Sequence, residues 1–383
     1  MRSGANLLGN IIRAVNCQLA RRGIARPGLP ITLTFSVTNR CQSRCKTCLI
    51  WKFHENRPEL VQKELSLDEI ERVFKGMGTI AFFNISGGEP FLRDDLPNIV
   101  ALALAHLRPS IVHIPTNALM PGRIERQVSE MLEHISQKSP GVKLSVKPSL
   151  DGLREHHDEI RGVPGNFDKV IETIKRLRPL SDRFPQFVLE VGTVISRLNM
   201  DSIEAIASFV HSLGIESYRS ELAETRTELA NKDADITPSP DDYERAINVF
   251  KRHTIEGLKG KRRYTRMLEA MRLVYYGLAL RTLREQRQVI PCYAGISNAH
   301  LDPYGELWAC CTMAGDASLG NVRETGYDFW RIWHSRQADE VRASIRRGEC
   351  FCPLANQAYS NIILSPTWLL KTATTFVRYA ALR

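Results

Sequence analysis

Regular alternation of strand-like and helix-like segments is the feature that most constrains this chain. Six strand-like runs alternate with helix-like segments, and the runs span 31–37, 79–86, 110–116, 142–152, 186–196 and 215–222. Such alternation is typical of a parallel sheet with right-handed helical crossovers. We therefore predict an α/β fold, a partial (β/α)6 barrel of the TIM type, with its site at the rim where the strands end.

The pattern changes outside this region, which predicts four parts. We expect an N-terminal amphipathic helix over 1–30, the partial barrel over 31–222 and a helical connector over 223–288. The remainder, 289–383, holds five of the nine cysteines and ends in a segment with helical periodicity. It predicts a small cysteine-rich extension with a C-terminal helix.

The composition indicates the class of protein and its expected location. A hydrophobic content of 43% and a charged content of 25% are ordinary for a globular protein, and no apolar run is long enough to span a membrane. The first residues do not resemble a signal peptide, so we expect a cytoplasmic, reducing location, where clustered cysteines usually bind metal. The net charge of +10 comes without a nucleic-acid-binding motif, and no nucleic-acid partner is expected.

Three cysteines follow the first predicted strand as C-x3-C-x2-C, namely Cys41, Cys45 and Cys48. Three thiolates suit a [4Fe–4S] cluster that keeps one iron without a protein ligand, whereas structural zinc needs four ligands. Zinc held by these cysteines and His54 is the alternative, and a disulfide is a weaker one. The spacing by itself leaves these alternatives open.

With Trp51 and the "GGEP" stretch after the second strand, these cysteines resemble the radical S-adenosylmethionine (radical SAM) superfamily. The resemblance implies a SAM-binding [4Fe–4S] cluster held by Cys41, Cys45 and Cys48. It further implies reductive cleavage of SAM to a 5′-deoxyadenosyl radical, which abstracts hydrogen from a substrate. Cofactors carry the chemistry, and the protein supplies position and a dry site.

The same resemblance implies contacts to SAM at the ends of strands two, three and four. Arg161, in a stretch that also looks family-like, is a candidate for the SAM carboxylate, with a surface ion pair as the alternative. The expected SAM-binding residues are Gly87, Gly88, Glu89, Pro90, Thr116, Asn117, Ser149, Asp151 and Arg161.

The C-terminal cysteines resemble the SPASM/twitch extensions of radical SAM enzymes, which hold auxiliary clusters. A full SPASM unit has seven cysteines; the five here imply one auxiliary [4Fe–4S] cluster, aiding electron transfer or substrate binding. The implied ligands are Cys292, Cys310, Cys350 and Cys352, with Cys311 as a substitute. Zinc bound by four of these five is the alternative.

The sequence does not identify the substrate. We expect an oxidoreductase or radical-mediated transferase acting on a lipid, sugar or other small molecule, with a reductant such as flavodoxin or ferredoxin as partner. Basic amphipathic ends predict contact with the inner membrane surface, or packing on the barrel. A radical SAM peptide maturase is the alternative; from another class, the alternatives are a zinc-binding or electron-transfer protein. Tyr218, Glu221 and Tyr293 are candidates to reach the substrate cavity.

Overall fold

The computed structural model describes residues 2–55, 57–215, 217–258 and 263–380. The strands are β1 Thr32–Thr38, β2 Phe82–Gly87, β3 Ile111–Thr116, β4 Lys143–Pro148, β5 Phe187–Ile195, β6 Ser217–Leu222, β7 Asn298–Leu301, β8 Glu306–Trp308 and β9 Ser318–Asn321. The α-helices are α1 Arg2–Arg21, α2 Trp51–Glu55, α3 Leu67–Met77, α4 Leu96–Leu102, α5 Pro121–Lys138, α6 Arg154–Arg161, α7 Asn166–Arg183, α8 Ile203–Ser212, α9 Pro240–Glu256, α10 Arg263–Glu285, α11 Phe329–Trp333, α12 Arg336–Arg347, α13 Ala355–Leu364 and α14 Pro366–Ala380.

The strands form one sheet in the order β6-β5-β4-β3-β2-β1-β7-β8-β9. Strands β1 to β6 pair in parallel with their neighbours in chain order. The order ends at β6 on one side and at β9 on the other, so the sheet is not closed. The predicted α/β fold with a partial barrel is confirmed, and each predicted strand lies within two or three residues of an observed one, apart from the end of the fourth.

Alternation along β1 explains how the barrel gains an apolar shell and a polar interior. Leu33, Phe35 and Val37 belong to the apolar core, where Phe35 and Phe83 both meet the ring of Phe74 on α3. The intervening residues are polar and buried, and Ser36 Oγ lies 2.8 Å from His300 Nε2. Because side chains alternate between the two faces of a strand, the strand that builds the core also lines the interior with polar groups.

The cysteine-rich extension continues the barrel sheet. Strand β7 pairs in parallel with β1, with Thr32 opposite Asn298 and Phe35 opposite Leu301. Strands β8 and β9 then add antiparallel strands at that edge. Both cysteine groups are thereby tied to the same central strand.

The terminal helices pack partly on the protein and partly face outward. Cys17 of α1 is buried beside Tyr293 and Leu364, as expected of a small apolar side chain. Ile12 on α1 and Leu370 on α14 are each more than half exposed. Among the helices of the described part of the chain, none is long and apolar enough to cross a membrane. Contact with a membrane surface stays a prediction.

An ion pair joins the barrel to the extension and generates a pH prediction. Glu69 of α3 accepts hydrogen bonds from Arg323 at 2.7 and 3.0 Å and from the Tyr327 hydroxyl at 2.8 Å. Hydrogen bonds from Arg323 lower the pKa of Glu69 from 4.5 to about 2. We expect Glu69→Gln to lower the free energy of unfolding by about 2 kcal/mol at neutral pH.

The sign of the pH dependence follows from the lowered pKa. The stabilisation is present above pH 4.5 and is lost as the pH falls toward 2, so the difference between wild type and variant shrinks over that range. Urea unfolding of both proteins at several pH values measures it. Glu340→Gln, in an exposed pair with Arg336, is the control and should change little. A pH-independent difference would contradict the assignment.

Candidate functional site

The loop that carries Cys41, Cys45 and Cys48 follows β1 and is held by backbone hydrogen bonds. The amides of Arg44 and Lys46 donate to the carbonyls of Arg161 and Ile160 at the end of α6, at 3.0 and 2.8 Å. Gly162 ends α6, and a Cβ there would lie 2.1 Å from the Arg44 carbonyl oxygen. The α6 end and the cysteine loop thus approach as closely as two backbones can.

The connector after β6 holds the other part of this loop. Asn231 Nδ2 donates to the Thr47 carbonyl at 2.8 Å, and the Leu49 amide donates to the Leu229 carbonyl at 2.8 Å. Because a loop fixed at several points keeps its side chains in place, the three thiols are positioned before any ligand binds.

The three thiols are close enough to influence one another. Burial, with smaller contributions from Glu89 and Cys45, raises the pKa of Cys41 to about 12, and burial also raises the pKa of Cys48 to about 12. A buried thiolate needs a compensating cation, and an iron–sulfur cluster supplies it. The donor set therefore fits a cluster. The side chain of His54, the fourth ligand of the zinc alternative, lies outside the described residues.

The "GGEP" loop packs against the residues that lead into the cysteine loop. A Cβ on Gly87 or Gly88 would lie 2.1 Å from the carbonyl oxygen of Thr38 or Arg40 respectively. The Gly88 and Glu89 amides donate to those same carbonyls at 2.7 Å. Both glycines are required by this contact, and Gly87 additionally has a φ of 113°.

Glu89 ties the ends of β2 and β3 together. Its carboxylate accepts from the Asn117 amide at 2.7 Å, from Thr116 Oγ1 at 3.0 Å and from the Phe91 amide at 3.2 Å. Burial raises its pKa to about 7 despite these bonds. Pro90, also buried, starts the short turn that follows. Asn117 Nδ2 reaches Cys41 Sγ at 3.7 Å, which links this network to the thiols.

Asp151 and Arg161 form a buried ion pair beside the cysteine loop. Arg161 Nη1 lies 3.0 Å from Asp151 Oδ2, and the Val194 amide donates to Asp151 Oδ1 at 2.8 Å. Burial alone would lower the pKa of Arg161, but the Cys45 thiol and Asp151 outweigh it and raise it above its usual value. Arg161 Nε is buried without a hydrogen-bond partner among the described residues. The pair is therefore internal, not a surface salt bridge.

A cavity of about 220 Å³ lies inside the barrel next to these residues. Lys147 Nζ bonds Glu221 Oε1 at 2.6 Å within it, so charges of both signs face the space. Ser149 and Gly87, two of the expected SAM-binding residues, lie in its wall. The lining also includes His113, Lys147, Thr193, Arg219, Glu221, Arg226, Glu228 and Cys311.

Most of the charged lining was not predicted from the sequence. Of the three cavity candidates, only Glu221 lines it. The Tyr218 hydroxyl bonds Thr193, and its ring packs on Phe250. Tyr293 packs against α1 instead. Arg226 and Glu228 follow β6 at the same rim. Their position just after a strand of the barrel is the sequence signal that could have identified them.

Four C-terminal cysteines form a second group. The thiol of Cys310 interacts electrostatically with those of Cys292 and Cys350, and that of Cys352 with Cys310 and Cys292. Burial raises the pKa of Cys310 to about 12. Residues 350–354 have no regular structure, so Cys350 and Cys352 are not directed to opposite faces as in a strand. This donor set fits an auxiliary cluster.

Cys311 has different neighbours. Apart from burial, the charges that most affect its thiol are Glu228 and Arg226, ahead of Cys310. It also lines the barrel cavity. The chain thus directs Cys310 toward the cysteine group and Cys311 toward the cavity.

Comparison with known proteins agrees with this arrangement. The radical SAM superfamily model matches residues 35–210, and the model of an iron–sulfur cluster-binding domain, SPASM, matches residues 292–353. The first match contains the loop with three cysteines and the second contains the C-terminal five.

Two curated relatives illustrate the similarity in sequence. The antilisterial bacteriocin subtilosin biosynthesis protein AlbA of Bacillus subtilis is 26% identical over 84% of this chain, which spans 63% of AlbA. An AdoMet-dependent heme synthase of Methanosarcina barkeri is 24% identical over 82% of this chain and 85% of that protein.

The fold resembles that of Streptococcus suis SuiB. The structure with bound S-adenosylmethionine has a TM-score of 0.58 at 16% identity, covering 89% of this chain and 73% of SuiB. A structure of SuiB bound to precursor peptide SuiA matches with a TM-score of 0.57 at 16% identity, covering 88% of this chain and 72% of SuiB.

The "GGEP" contact generates a prediction. In the variant Gly88→Ala, the new Cβ would lie 2.1 Å from the Arg40 carbonyl oxygen. Either the "GGEP" loop or the segment that leads into the cysteine loop must therefore move. We expect SAM affinity to fall about tenfold or more, measured by equilibrium dialysis of the reconstituted protein. Gly122→Ala on α5, where a Cβ meets nothing within 4 Å, is the control. Equal SAM binding by both variants would refute the prediction.

The group of four C-terminal cysteines generates another prediction. We propose Cys352 as an auxiliary-cluster ligand, so Cys352→Ala should lose about four irons per chain after reconstitution. Cys17→Ala removes a buried thiol that packs against Tyr293 and Leu364 and is not a proposed ligand, so it should lose none. Iron and sulfide analysis measures the cluster content of each variant. An unchanged iron content in Cys352→Ala would show that Cys352 is not a cluster ligand.

Proposed function

The chain belongs to the radical SAM superfamily and carries a SPASM domain, and from this premise we propose that it is an enzyme that cleaves SAM reductively and abstracts hydrogen from a substrate. When bound, the [4Fe–4S] cluster and SAM supply the electron and the 5′-deoxyadenosyl radical for this chemistry. The observation that carries this proposal is that three thiols, the "GGEP" loop and a polar cavity lie at one rim of the barrel.

Each protein group has a definable task at the first site. Cys41, Cys45 and Cys48 would hold the cluster and leave one iron free for SAM. Asn117 Nδ2, 3.7 Å from Cys41 Sγ, donates toward that thiol and supports its anionic form. Such a donor favours the thiolate form that binds iron.

SAM would lie between the cysteine loop and the cavity. Gly87 lines the cavity without a side chain and leaves space there. Arg161 Nε has no hydrogen-bond partner in the part of the chain that the structure describes, and the guanidinium suits the SAM carboxylate. Glu89 acts as a positioning residue, because its oxygens already bond Thr116, Asn117 and Phe91. Asp151 holds Arg161 in place from the end of β4.

The auxiliary cluster would be held by Cys292, Cys310, Cys350 and Cys352. Backbone amides of Thr312 and Met313 bond the Cys310 thiol, and the Asn361 side chain bonds Cys292. Such donors to sulfur tune the reduction potential of a cluster. We propose that this cluster aids electron transfer or substrate binding.

The cavity favours a polar substrate. Charges of both signs face its space, and an acyl chain there would leave Lys147, Arg219 and Glu221 in contact with hydrocarbon. A small polar molecule or sugar suits it better than a lipid tail. A peptide is the second proposal, supported by the peptide-bound structure of SuiB.

A protein reductant would approach the outer side of the cysteine loop. An open groove of about 460 Å³ beside Cys41 is lined by Arg40, Arg44, Trp51 and Glu55, among others. Two arginines near the cluster ligand suit an acidic electron carrier. We propose a carrier of the flavodoxin or ferredoxin kind.

Anaerobic reconstitution tests the proposal. We expect about eight irons per chain and formation of 5′-deoxyadenosine when dithionite and SAM are added. The variant with Cys41, Cys45 and Cys48 changed to alanine should keep about four irons and form no deoxyadenosine. Candidate peptides, sugars and porphyrins can then be ranked by how strongly they stimulate deoxyadenosine formation.

Two results would contradict it. Zinc in place of iron would favour a structural metal protein, and iron without SAM cleavage under any reductant would favour an electron-transfer protein. The triple alanine variant separates these outcomes from loss of folding, because its auxiliary cluster reports whether the extension has folded.

A further inference from the structure

A group of metal-binding side chains lies between the two cysteine sites. One ligand atom from each of Glu228, His300 and Cys311 lies within 4.8 Å of the other two. Glu228 and Cys311 line the barrel cavity. None of the three belongs to the cluster ligands proposed above, so their proximity calls for a separate explanation.

The three residues come from separate parts of the fold. Glu228 belongs to the turn after β6, His300 to β7 and Cys311 to the turn after β8. Sequence-distant groups of this chemistry, gathered in a buried place, are the usual composition of a metal site. A carboxylate, an imidazole and a thiolate together suit a divalent metal of borderline softness, such as zinc.

His300 is the most deeply placed of the three side chains. Its side chain is 1% exposed, and Nδ1 is buried without a hydrogen-bond partner among the described residues. Nε2 bonds Ser36 Oγ at 2.8 Å. Nε2 is also the ring nitrogen 3.7 Å from Glu228 Oε1, so a metal held by both residues would take Nε2 in place of the Ser36 hydroxyl, and Nδ1 would carry the ring proton.

Glu228 is held in the orientation that a ligand needs. Its Oε2 lies 3.6 Å from Arg226 Nη1, while Oε1 lies 3.7 Å from His300 Nε2. Arg226 thus anchors one oxygen and leaves the other for the site, a supporting contact typical of metal-binding carboxylates.

The distances suit zinc after small side-chain movements. Tetrahedral zinc at 2.0–2.3 Å from its ligands places them roughly 3.5 Å apart. Glu228 Oε1 and His300 Nε2 are already 3.7 Å apart, and every separation in the group is 4.8 Å or less. Three protein ligands leave a fourth position, and the cavity adjoins both Glu228 and Cys311.

We propose that Glu228, His300 and Cys311 bind one divalent transition metal in the wall of the barrel cavity. Its open position takes a donor atom of the substrate. This role deepens the function proposed above and rests on it, whereas the metal binding itself does not depend on SAM cleavage.

Zinc binding by the reconstituted holoenzyme tests the proposal. After passage over a chelating resin, the protein is equilibrated with zinc alone, and zinc and iron are counted by mass spectrometry. We expect about one zinc per chain in the wild type, with about eight irons retained. X-ray absorption at the zinc edge should show one sulfur at about 2.3 Å and nitrogen or oxygen at about 2.0 Å.

Three variants make the result specific. Cys311→Ala and the near-isosteric Glu228→Gln should weaken zinc binding about tenfold or more without loss of iron. Cys17→Ala, a buried thiol elsewhere, should bind zinc like the wild type. The retained iron shows that each variant folds.

Several outcomes would overturn the site. The proposed metal site is wrong if the wild type retains no zinc, or if all variants retain as much zinc as the wild type. Loss of about four irons in Cys311→Ala would make Cys311 an auxiliary-cluster ligand instead. SAM cleavage is measured on the same samples, so zinc binding without cleavage would leave the metal site standing while the proposed enzyme function fails.

Discussion

Parallel pairing of β1 with β2 on one side and β7 on the other ties both cysteine groups to one strand. The loop after β1 carries the first three cysteines, the loop after β2 packs on its backbone, and β7 begins the extension that carries the rest. Because neighbouring strands in a sheet lie about 4.8 Å apart, these pairings bring groups distant in sequence into contact.

Burial determines the chemistry available around this strand. Burial raises the pKa values of Cys41, Cys48, Glu89 and Asp302. Charged groups of opposite sign pair there, Asp151 with Arg161 and Lys147 with Glu221. A site with few unpaired charges and several buried thiols is prepared for cationic cofactors and for reactive intermediates that must be kept from water.

Much of the fold and of the first site could be predicted from the sequence. Strand runs are local patterns, and the C-x3-C-x2-C and "GGEP" elements lie in the loops where a parallel barrel places its site. The role of Glu89 could not be predicted, since only the structure shows that its oxygens bond Thr116 and Asn117. Arg226 and Glu228 were missed because a polar connector carries no periodic pattern.

The sequence by itself determined the alternation that makes the barrel, the spacing of the three cysteines and the presence of a second cysteine group, because all of these depend on near neighbours in the chain. Tertiary structure alone decided which side Cys311 faces, that Arg161 is buried with Asp151, and that His300 meets Glu228. These depend on how strands pair and where side chains find space, which no local pattern contains. Adjacent Cys310 and Cys311 show the difference most plainly, since identical residues one position apart face different surroundings.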